Sequence, residues 1–453
     1  MPLDRPGALI DQGPLIPQVD FSRFQMRIPT ERYHSREYQE RERQRLWMRV
    51  WQIAGREAEL PDAGDWLVYR IFDQSFIVVR GNDGALRGFV NSCRHRGNAL
   101  CEDRGHTARF LCPYHHWSFG LDGRLLAVPR PDFDGTVEEF VGPKEELGLW
   151  PVPVESFAGF IFLNPDPTAR PLRDFLGDAA PLLRAYRLEE MVPVDLNVTE
   201  AIQCNWKVVM DAFHEGYHVR GVHPELVSIM DMGKERFTRL GPHGATTVPF
   251  GQSQAGVSAP ESELQTIRAI PFANFPALAT LMPRFEERVA TYHGKDDTPE
   301  FPPGVTARGI LQNVTREMWT AKGLDVSDLT DNQMNDYQFW ALFPNVFMQL
   351  GPGDATVIIA KPDAEGDPNR CAWHVCAYRW LPVEQRATQL TATVKVPAGE
   401  HFAYFLALEQ DYRQMERQQH GLRNTGLKYM TLTRQEPRVA HFHTVLDDWV
   451  DGK

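Results

Sequence analysis

The spacing of hydrophobic and polar positions changes near residue 50. Residues 35–50, SREYQERERQRLWMRV, are mostly charged and favour a helix with an apolar edge near its end. The next segments, DWLVYRIF, SFIVVRG and LRGFVNS, are apolar or β-branched runs of strand length. GNDG separates the last two runs and predicts a hairpin turn, as Asp122-Gly123 does farther along. A small all-β domain is therefore predicted up to about residue 160.

Beyond this point the pattern becomes mixed. Residues near 205–219 and 399–421 have helical spacing, whereas ATVIIAKP and AWHVCAYRWLP read as strands. FGQSQAGVSAPESE and GKDDTPEFPPG are rich in Gly, Ser, Pro and acidic residues, and we predict that they form mobile loops or lids. The expected fold class is α+β in three parts: an N-terminal arm over 1–40, a small all-β domain over 41–160 and a larger α+β domain over 161–453.

Composition limits the possible classes of protein. The 453 residues exceed the usual size of one core, and 42% hydrophobic with 24% charged residues is typical of globular proteins. A net charge of -12 argues against nucleic acid or anionic membrane as a partner, since both attract basic surfaces. No stretch approaches the ~20 apolar residues of a membrane span, and the N-terminus lacks the features of a signal peptide. We expect a cytoplasmic protein, in which six cysteines are too few for a disulfide scaffold and a metal or redox role is favoured for Cys93 and Cys112.

Four potential metal ligands are concentrated in the loops of the β domain. Cys93 and His95 form a Cys-x-His pair, and Cys112 and His115 form a Cys-x-x-His pair, with sixteen residues between His95 and Cys112. A zinc ion accepts two cysteines and two histidines around one centre. A Rieske [2Fe–2S] cluster instead places two cysteines on one iron and two histidines on the other. These ligand types are compatible with either metal group.

The sequences flanking the pairs, CRHRG and CPYHHW, resemble the Rieske domains of ring-hydroxylating oxygenases. The resemblance favours the iron–sulfur cluster and implies four cluster ligands: Cys93, His95, Cys112 and His115. Respiratory Rieske proteins have a disulfide cysteine where this chain has Tyr114, so we expect no bridge between the loops and read Cys101 as a small buried residue. His116 stands where the family usually has glycine, which affects the packing of the loop.

A second group of potential ligands lies in NWKVVMDAFHEGYHVRGVHPE. At about 100° per residue, a continuous helix would present four of them in one arc that contains no Lys or Arg: Asp211, His214, Glu215 and His218. His223 would lie about 140° from His218 on that helix. Gly221 and Pro224 predict that the helix ends after His218 and lets His223 approach it. The pair of His214 and His218, one turn apart, remains an alternative.

A carboxylate is predicted as the third ligand in HFAYFLALEQDYRQMERQQHGL. Helical spacing places Asp411 within the apolar stripe of Leu408, Met415 and Leu422. An unpaired carboxylate there would cost on the order of several kcal/mol or stay protonated, and a metal ion removes that cost. With two histidines, Asp411 would complete a set that leaves coordination positions on Fe(II) open to dioxygen. The alternative is a salt bridge from Asp411 to an arginine.

These segments together resemble the large subunits of Rieske non-haem iron oxygenases over about residues 40–430. NWK, EGYH and QD followed by GL carry the resemblance. It implies a Rieske domain over 41–160, a helix-grip catalytic domain with an antiparallel sheet over 161–453, and three ligands of a mononuclear iron: His218, His223 and Asp411.

The same resemblance implies a path for electrons between subunits. The family forms head-to-tail trimers in which a carboxylate links an iron ligand to the Rieske histidine of the next chain. Glu215 stands where the family commonly has Asp, three residues before His218, and can accept its ring proton. Glu215 and Asp211 are therefore the candidate catalytic residues.

The predicted function is that of a terminal oxygenase. Electrons from a ferredoxin or flavin reductase, drawn from NAD(P)H, would enter at the Rieske cluster, and O2 would react at the iron. Four arginines make the surroundings of the Rieske cluster locally basic and would attract an acidic electron donor: Arg94, Arg96, Arg104 and Arg109. We expect a homotrimer, with or without a small β subunit.

An aromatic or hydroaromatic substrate is the first expectation, in mono- or cis-dihydroxylation of the kind used in aromatic hydrocarbon catabolism. Its apolar pocket would be lined by IMDM, FANFPALATLM and FWALFPNVFMQL. Glutamate at position 215 resembles the minority of the family that oxidise quaternary amines such as carnitine, so a monooxygenase or demethylase of such an amine is the alternative. An electron-transfer or zinc-binding module with a purely ligand-binding C-terminal domain is the alternative from a different class.

Overall fold

A computed structural model describes residues 8–129, 143–252, 262–270, 276–294 and 299–452. The chain divides into two compact units. The β unit comprises Glu37–Phe175 with Asp363–Gly366, and the α+β unit comprises Met1–Arg36, Leu176–Pro362 and Asp367–Lys453. The division therefore groups the N-terminal residues with the α+β unit and falls after Phe175 rather than at residue 160. Both predicted mobile loops lie partly outside the described residues.

The strands of the described residues are, in chain order, β1 Arg27–Pro29, β2 Gln52–Arg56, β3 Asp65–Ile71, β4 Gln74–Arg80, β5 Leu86–Val90, β6 Arg104–His106, β7 Phe110–Leu111, β8 Ser118–Phe119, β9 Leu125–Ala127, β10 Pro151–Val152, β11 Val154–Phe157, β12 Phe160–Leu163, β13 Met191–Ile202, β14 Arg236–Leu240, β15 His243–Val248, β16 Tyr337–Leu342, β17 Val346–Gly351, β18 Asp354–Pro362, β19 Cys371–Trp380, β20 Val394–Lys395 and β21 Tyr429–Thr431.

The α-helices of the described residues are α1 Ala8–Asp11, α2 Arg36–Glu42, α3 Leu172–Leu176, α4 Ala179–Arg184, α5 Trp206–Phe213, α6 Val219–Val222, α7 Glu263–Arg268, α8 Pro276–Ala279, α9 Met282–Val289, α10 Ala307–Lys322, α11 Val383–Gln389, α12 Leu406–Leu422 and α13 Pro437–Asp451. None of these helices is long and apolar enough to cross a membrane.

The β unit contains three antiparallel sheets, with strand orders β10-β5-β4-β3-β6, β11-β12-β2 and β7-β8-β9. The predicted GNDG hairpin is confirmed, because β4 pairs with β5 across it. The second predicted hairpin is confirmed as well, since Asp122-Gly123 connects β8 to β9. Cys93 follows β5 and Cys112 follows β7, and both sulfurs belong to a core that includes Phe89 and Phe119. Short strands and their loops therefore hold the two Cys/His pairs.

One eight-stranded sheet organises the α+β unit, in the order β14-β15-β16-β17-β18-β19-β13-β20. Its neighbours are antiparallel except for β13 and the short edge strand β20. Helix α5 lies against β17, β18 and β19 and also contacts α12. Trp206, Trp340 and Trp373 are each at most 1% exposed between these layers. The predicted α+β class is confirmed, and the sheet brings the two segments with potential iron ligands together.

The N-terminal residues form part of the α+β unit. Strand β1 pairs with β21, and helix α1 contacts β14 and β15. The backbone N–H of Ile16 donates to the carbonyl of Glu235 at 3.0 Å, and that of Phe237 donates to the carbonyl of Pro14 at 3.0 Å. Residues from the start of the chain therefore line the region around Glu235.

Candidate metal centres

The two histidines of the predicted iron site flank a single helical turn. Asn205 caps α5 by accepting a hydrogen bond from the Lys207 N–H at 3.0 Å. The helix then ends at Phe213, so the expectation of a helix continuing to His218 is wrong. The one-turn helix α6 begins directly after His218 and is followed by His223. Each histidine occupies one end of this turn, which lets both rings face the same point.

A distant arginine binds the carbonyl at the end of α5. The guanidinium of Arg438, on α13, donates to the carbonyl of Phe213 at 3.0 Å and to that of Phe339 at 2.8 Å. A helix-terminal carbonyl needs such a partner, and here it comes from more than two hundred residues away. The arc that Asp211, His214, Glu215 and His218 were expected to share on one helix therefore does not exist.

His218, His223 and Asp411 are brought together with their ligand atoms within 4.8 Å of one another. Asp411 Oδ1 lies 2.9 Å from His223 Nε2 and 3.6 Å from His218 Nε2. The second ring nitrogens bind elsewhere: His218 Nδ1 lies 2.6 Å from Glu215 Oε1, and His223 Nδ1 lies 2.7 Å from Gln410 Oε1. With each Nδ1 occupied, both Nε2 atoms and one carboxylate oxygen converge on one point. This arrangement fits the 2-His-1-carboxylate set that binds Fe(II).

The charges around this point favour a cation. Burial by itself would lower the pKa of His218, but its hydrogen bond to Glu215 and the charges of Glu215 and Asp411 raise it. Burial likewise would lower the pKa of His223, but its hydrogen bond to Asp411 outweighs burial and raises this pKa. Asp411 is only 8% exposed, on the buried side of α12. The predicted helix around it begins at Leu406 rather than near residue 399, since His401 is held between Glu200 and Glu409 at 2.8 and 2.9 Å.

The remaining candidates, His214 and Asp211, lie elsewhere. His214 is 2% exposed, and neither ring nitrogen has a hydrogen-bond partner. Its ring packs against Phe442 at a centroid distance of 5.2 Å, and burial holds its pKa well below the usual value. The structure thus groups His218 with His223 and not with His214.

Asp211 belongs to a buried hydrogen-bond network. It accepts from the Tyr33 hydroxyl at 2.6 Å and lies 3.0 Å from His443 Nε2. Arg32 can only donate, and its contact with His443 Nδ1 at 3.0 Å assigns the ring proton to Nε2. The network joins α5 to the N-terminal segment.

Gln410 is the functional candidate that the sequence reasoning missed. Replacing it with leucine (Gln410→Leu) removes the acceptor for His223 Nδ1 and should weaken iron binding about 10- to 100-fold, as loss of such partners does at other metal sites. Competition with a chelator, followed by metal analysis, measures this. The control is Gln418→Leu on the exposed side of the same helix. Equal iron retention in both variants would contradict a supporting role for Gln410.

In the β unit the Cys/His residues form one sulfur pair and one nitrogen pair. The Cys93 and Cys112 thiols are neighbours, 2% and 1% exposed, whereas His95 Nδ1 lies 3.1 Å from His115 Nδ1 near the surface. Among the described residues, these four do not gather into a single compact group as His218, His223 and Asp411 do. Two separated pairs fit two irons better than one tetrahedral zinc ion. The His95 ring also stacks on Trp117 at 5.0 Å.

The loops that carry the Cys/His pairs depart from the usual Rieske pattern at the positions that the sequence indicated. His116 has a φ of +58°, in the left-handed region that favours glycine. Cys101 is a free buried thiol, so the expected absence of a loop disulfide agrees with the structure. Arg104 pairs with Glu59 at 3.0 Å, whereas Arg94 lies 3.8 Å from the centre of the Trp150 ring.

Comparison with known proteins adds independent information. Residues 183–452 match the family described as "Ring hydroxylating alpha subunit (catalytic domain)", and residues 50–140 match "Rieske [2Fe-2S] domain". The glycine betaine monooxygenase oxygenase subunit of Pseudomonas aeruginosa is 36% identical over 189 residues, 41% of this chain and 42% of that protein. The carnitine monooxygenase oxygenase subunit of Escherichia coli K12 is 32% identical over 226 residues, 49% of this chain and 58% of that protein. The matches thus span less than two thirds of these relatives.

Among solved structures, a naphthalene 1,2-dioxygenase with indole bound in its active site shares the fold. Its TM-score is 0.65 at 20% identity, and the alignment covers 94% of this chain and 92% of that one. At this identity the likeness concerns the fold alone.

Proposed function

The chain belongs to the ring-hydroxylating alpha-subunit family of Rieske oxygenases, and we propose that it is the terminal component that oxidises a small organic molecule with O2 and external electrons. Its cofactors are a Rieske [2Fe–2S] cluster and a mononuclear iron. The observation that carries the proposal is the convergence of His218, His223 and Asp411. An Fe(II) ion held there would keep coordination positions open and supply the oxidising chemistry.

The protein side of the reaction is positioning. Glu215 fixes the ring of His218 with one oxygen and accepts the backbone N–H of His218 at 2.9 Å with the other. Gln410 fixes the ring of His223. In the proposed trimer, Glu215 would also face the Rieske histidine of the next subunit and couple the two centres. Light scattering should give the mass of three chains if this assembly forms. A monomer would rule out electron transfer between neighbouring subunits.

Metal analysis tests the proposed function most directly. The purified protein should contain three irons and two acid-labile sulfides per chain and have a red-brown colour. With a generic reductase and NADH, oxygen uptake should depend on an organic substrate. Colourless protein that contains zinc would overturn the oxygenase and favour the alternative of a zinc-binding module.

The electron donor is proposed to dock on the surface around the cluster histidines. Arg94 and Arg96 lie there beside exposed Trp150 and Tyr114, with Arg96 5.4 Å from the Tyr114 ring centre. Such a basic and aromatic surface suits an acidic ferredoxin or reductase. A donor that draws on NAD(P)H would place the reaction in the cytoplasm.

Arg96→Glu should therefore slow cluster reduction by the native donor about tenfold at low salt, because charge reversal at a docking rim acts on the association rate. The difference should shrink toward 1 M salt, where the Debye length is about 3 Å. Stopped-flow bleaching of the visible spectrum measures the rate. Arg413→Glu, an exposed arginine of the α+β unit, is the control. Reduction that is insensitive to salt would rule out this surface.

The substrate class is left open by the relatives, which include oxygenase subunits named for glycine betaine and carnitine and a fold neighbour named for naphthalene. The names of these proteins are consistent with an aromatic substrate and equally with a quaternary amine. The apolar segments expected to line the pocket contribute Met232 to a cavity that Gly216 and Tyr217 also line, while residues 271–275 lie outside the described chain. The charge of the residues that line that cavity would distinguish a cationic substrate from a neutral aromatic one.

A further inference from the structure

A small cavity adjoins the segment that carries His218. Its volume is about 280 Å³, and its eight lining residues include Ile16, Pro17, Tyr217, Met232, Glu235 and Gln435. Pockets for drug-sized ligands have volumes of about 300–1,000 Å³. This cavity therefore suits a headgroup-sized ligand, and its walls come from widely separated parts of the α+β unit.

Glu235 places a carboxylate in this otherwise largely apolar cavity. The residue is 3% exposed, and burial raises its pKa to about 7. Thr246 is its polar side-chain neighbour, yet the Thr246 hydroxyl lacks good hydrogen-bond geometry to any partner. The positive charge of Arg438 opposes this rise in the pKa of Glu235, and the arginine's Nη1 and Nη2 groups donate to backbone carbonyls. A buried carboxylate without a contacting cation is costly, and a cationic ligand would remove that cost.

Gly216 explains how this carboxylate comes close to the iron-site segment. A Cβ atom at Gly216 would lie 3.4 Å from Glu235 Oε2 and 1.8 Å from Met232 Cε. A side chain at position 216 would have to displace the end of the Met232 side chain, whereas Glu235 Oε2 would lie at ordinary van der Waals distance. Glu235 lies against the residue between Glu215 and Tyr217, where it also senses the charge of His218.

We propose that this cavity binds a small organic cation, with Glu235 and Tyr217 as the residues that select for positive charge. The inference rests on the proposed function and deepens it, since the bound cation would be the substrate's methylated ammonium group. Such a group has no N–H to donate, so it needs a negative charge and an aromatic face rather than a set of hydrogen-bond acceptors. Met232, Ile16 and Pro17 supply apolar contacts for its methyl groups.

The test compares two ligands that differ only in charge. Choline and its neutral carbon isostere, 3,3-dimethyl-1-butanol, are titrated calorimetrically into the full chain with both metals bound and no reductant. Choline should bind at least about tenfold more tightly, a preference of about 1.4 kcal/mol. Glu235→Gln should abolish the preference and leave binding of the neutral alcohol unchanged. Asp354→Asn, which neutralises another buried carboxyl with a pKa raised to about 6 outside the cavity, should retain it.

A second pair of variants covers the case in which Glu235→Gln does not fold. Tyr217 is half-exposed, so its replacement should be tolerated. Tyr217→Leu should reduce the choline preference about threefold or more, whereas Tyr217→Phe should keep it. Equal binding of the two ligands by the wild type, no binding of either, or a preference unchanged by Glu235→Gln or Tyr217→Leu would overturn the inference.

Failure of this inference is distinguishable from failure of the proposed function. A protein that contains three irons and consumes oxygen with a neutral aromatic substrate, but ignores ligand charge, loses only the cation site. A protein without iron loses the proposed function whatever its affinity for choline.

Discussion

Asp411→Ala should abolish substrate-dependent oxygen uptake while leaving the visible spectrum of the Rieske cluster intact. The carboxylate contacts the Nε2 atoms of both histidines, so its removal leaves two neutral ligands and takes one negative charge from the site. Loss of a residue that only hydrogen-bonds to a metal ligand typically costs about 10- to 100-fold in metal affinity or activity. We therefore expect a loss greater than about 100-fold, with iron falling from three to two per chain.

Glu409→Ala is the matched control for this experiment. Glu409 is also a carboxylate of α12, but it pairs with His401 and Arg413 on the outer side of the helix. It should retain three irons and most of the oxygen uptake. If Asp411→Ala kept the third iron and its activity, Asp411 would be a structural carboxylate and the proposed site would be wrong.

Glu215→Gln should retain both metal centres but lose most turnover. The glutamine oxygen can still accept from His218 Nδ1, so the ring stays in place. Its NH2 group cannot accept the backbone N–H of His218, and the negative charge beside His218 is lost. Electron transfer from the reduced cluster should slow about 10- to 100-fold. The measurement is stopped-flow reoxidation of the cluster with O2 and substrate, which separates this step from overall activity.

Glu436→Gln serves as the control, because Glu436 is another partly buried glutamate near Glu215 that makes no bond to His218. It should reoxidise at the rate of the wild type. Near-normal coupled turnover in Glu215→Gln would remove Glu215 from the electron path, although it could still orient His218.

The sequence predicted candidate ligands wherever local spacing was enough. Two short loops fix Cys93 relative to His95 and Cys112 relative to His115, because only one or two residues separate each pair. A lone carboxylate on an apolar stripe identified Asp411 as a candidate, since burial without a partner is costly. The alternation of strands likewise predicted both confirmed hairpins of the β unit.

Tertiary structure decided what depends on contacts between distant residues. The helical periodicity of the sequence cannot show that Arg438 donates to the Phe213 carbonyl at the end of α5. Because the helix ends there, His214 and His218 do not share one helical face. Gln410 meets His223 only because α12 contacts α5. Nothing in the local sequence distinguishes Glu235, and it becomes a buried carboxylate because chain segments more than two hundred residues apart close around it. The sequence by itself therefore determined which chemistry the chain carries, whereas the packing of remote segments determined which histidines meet and where a charged substrate could bind.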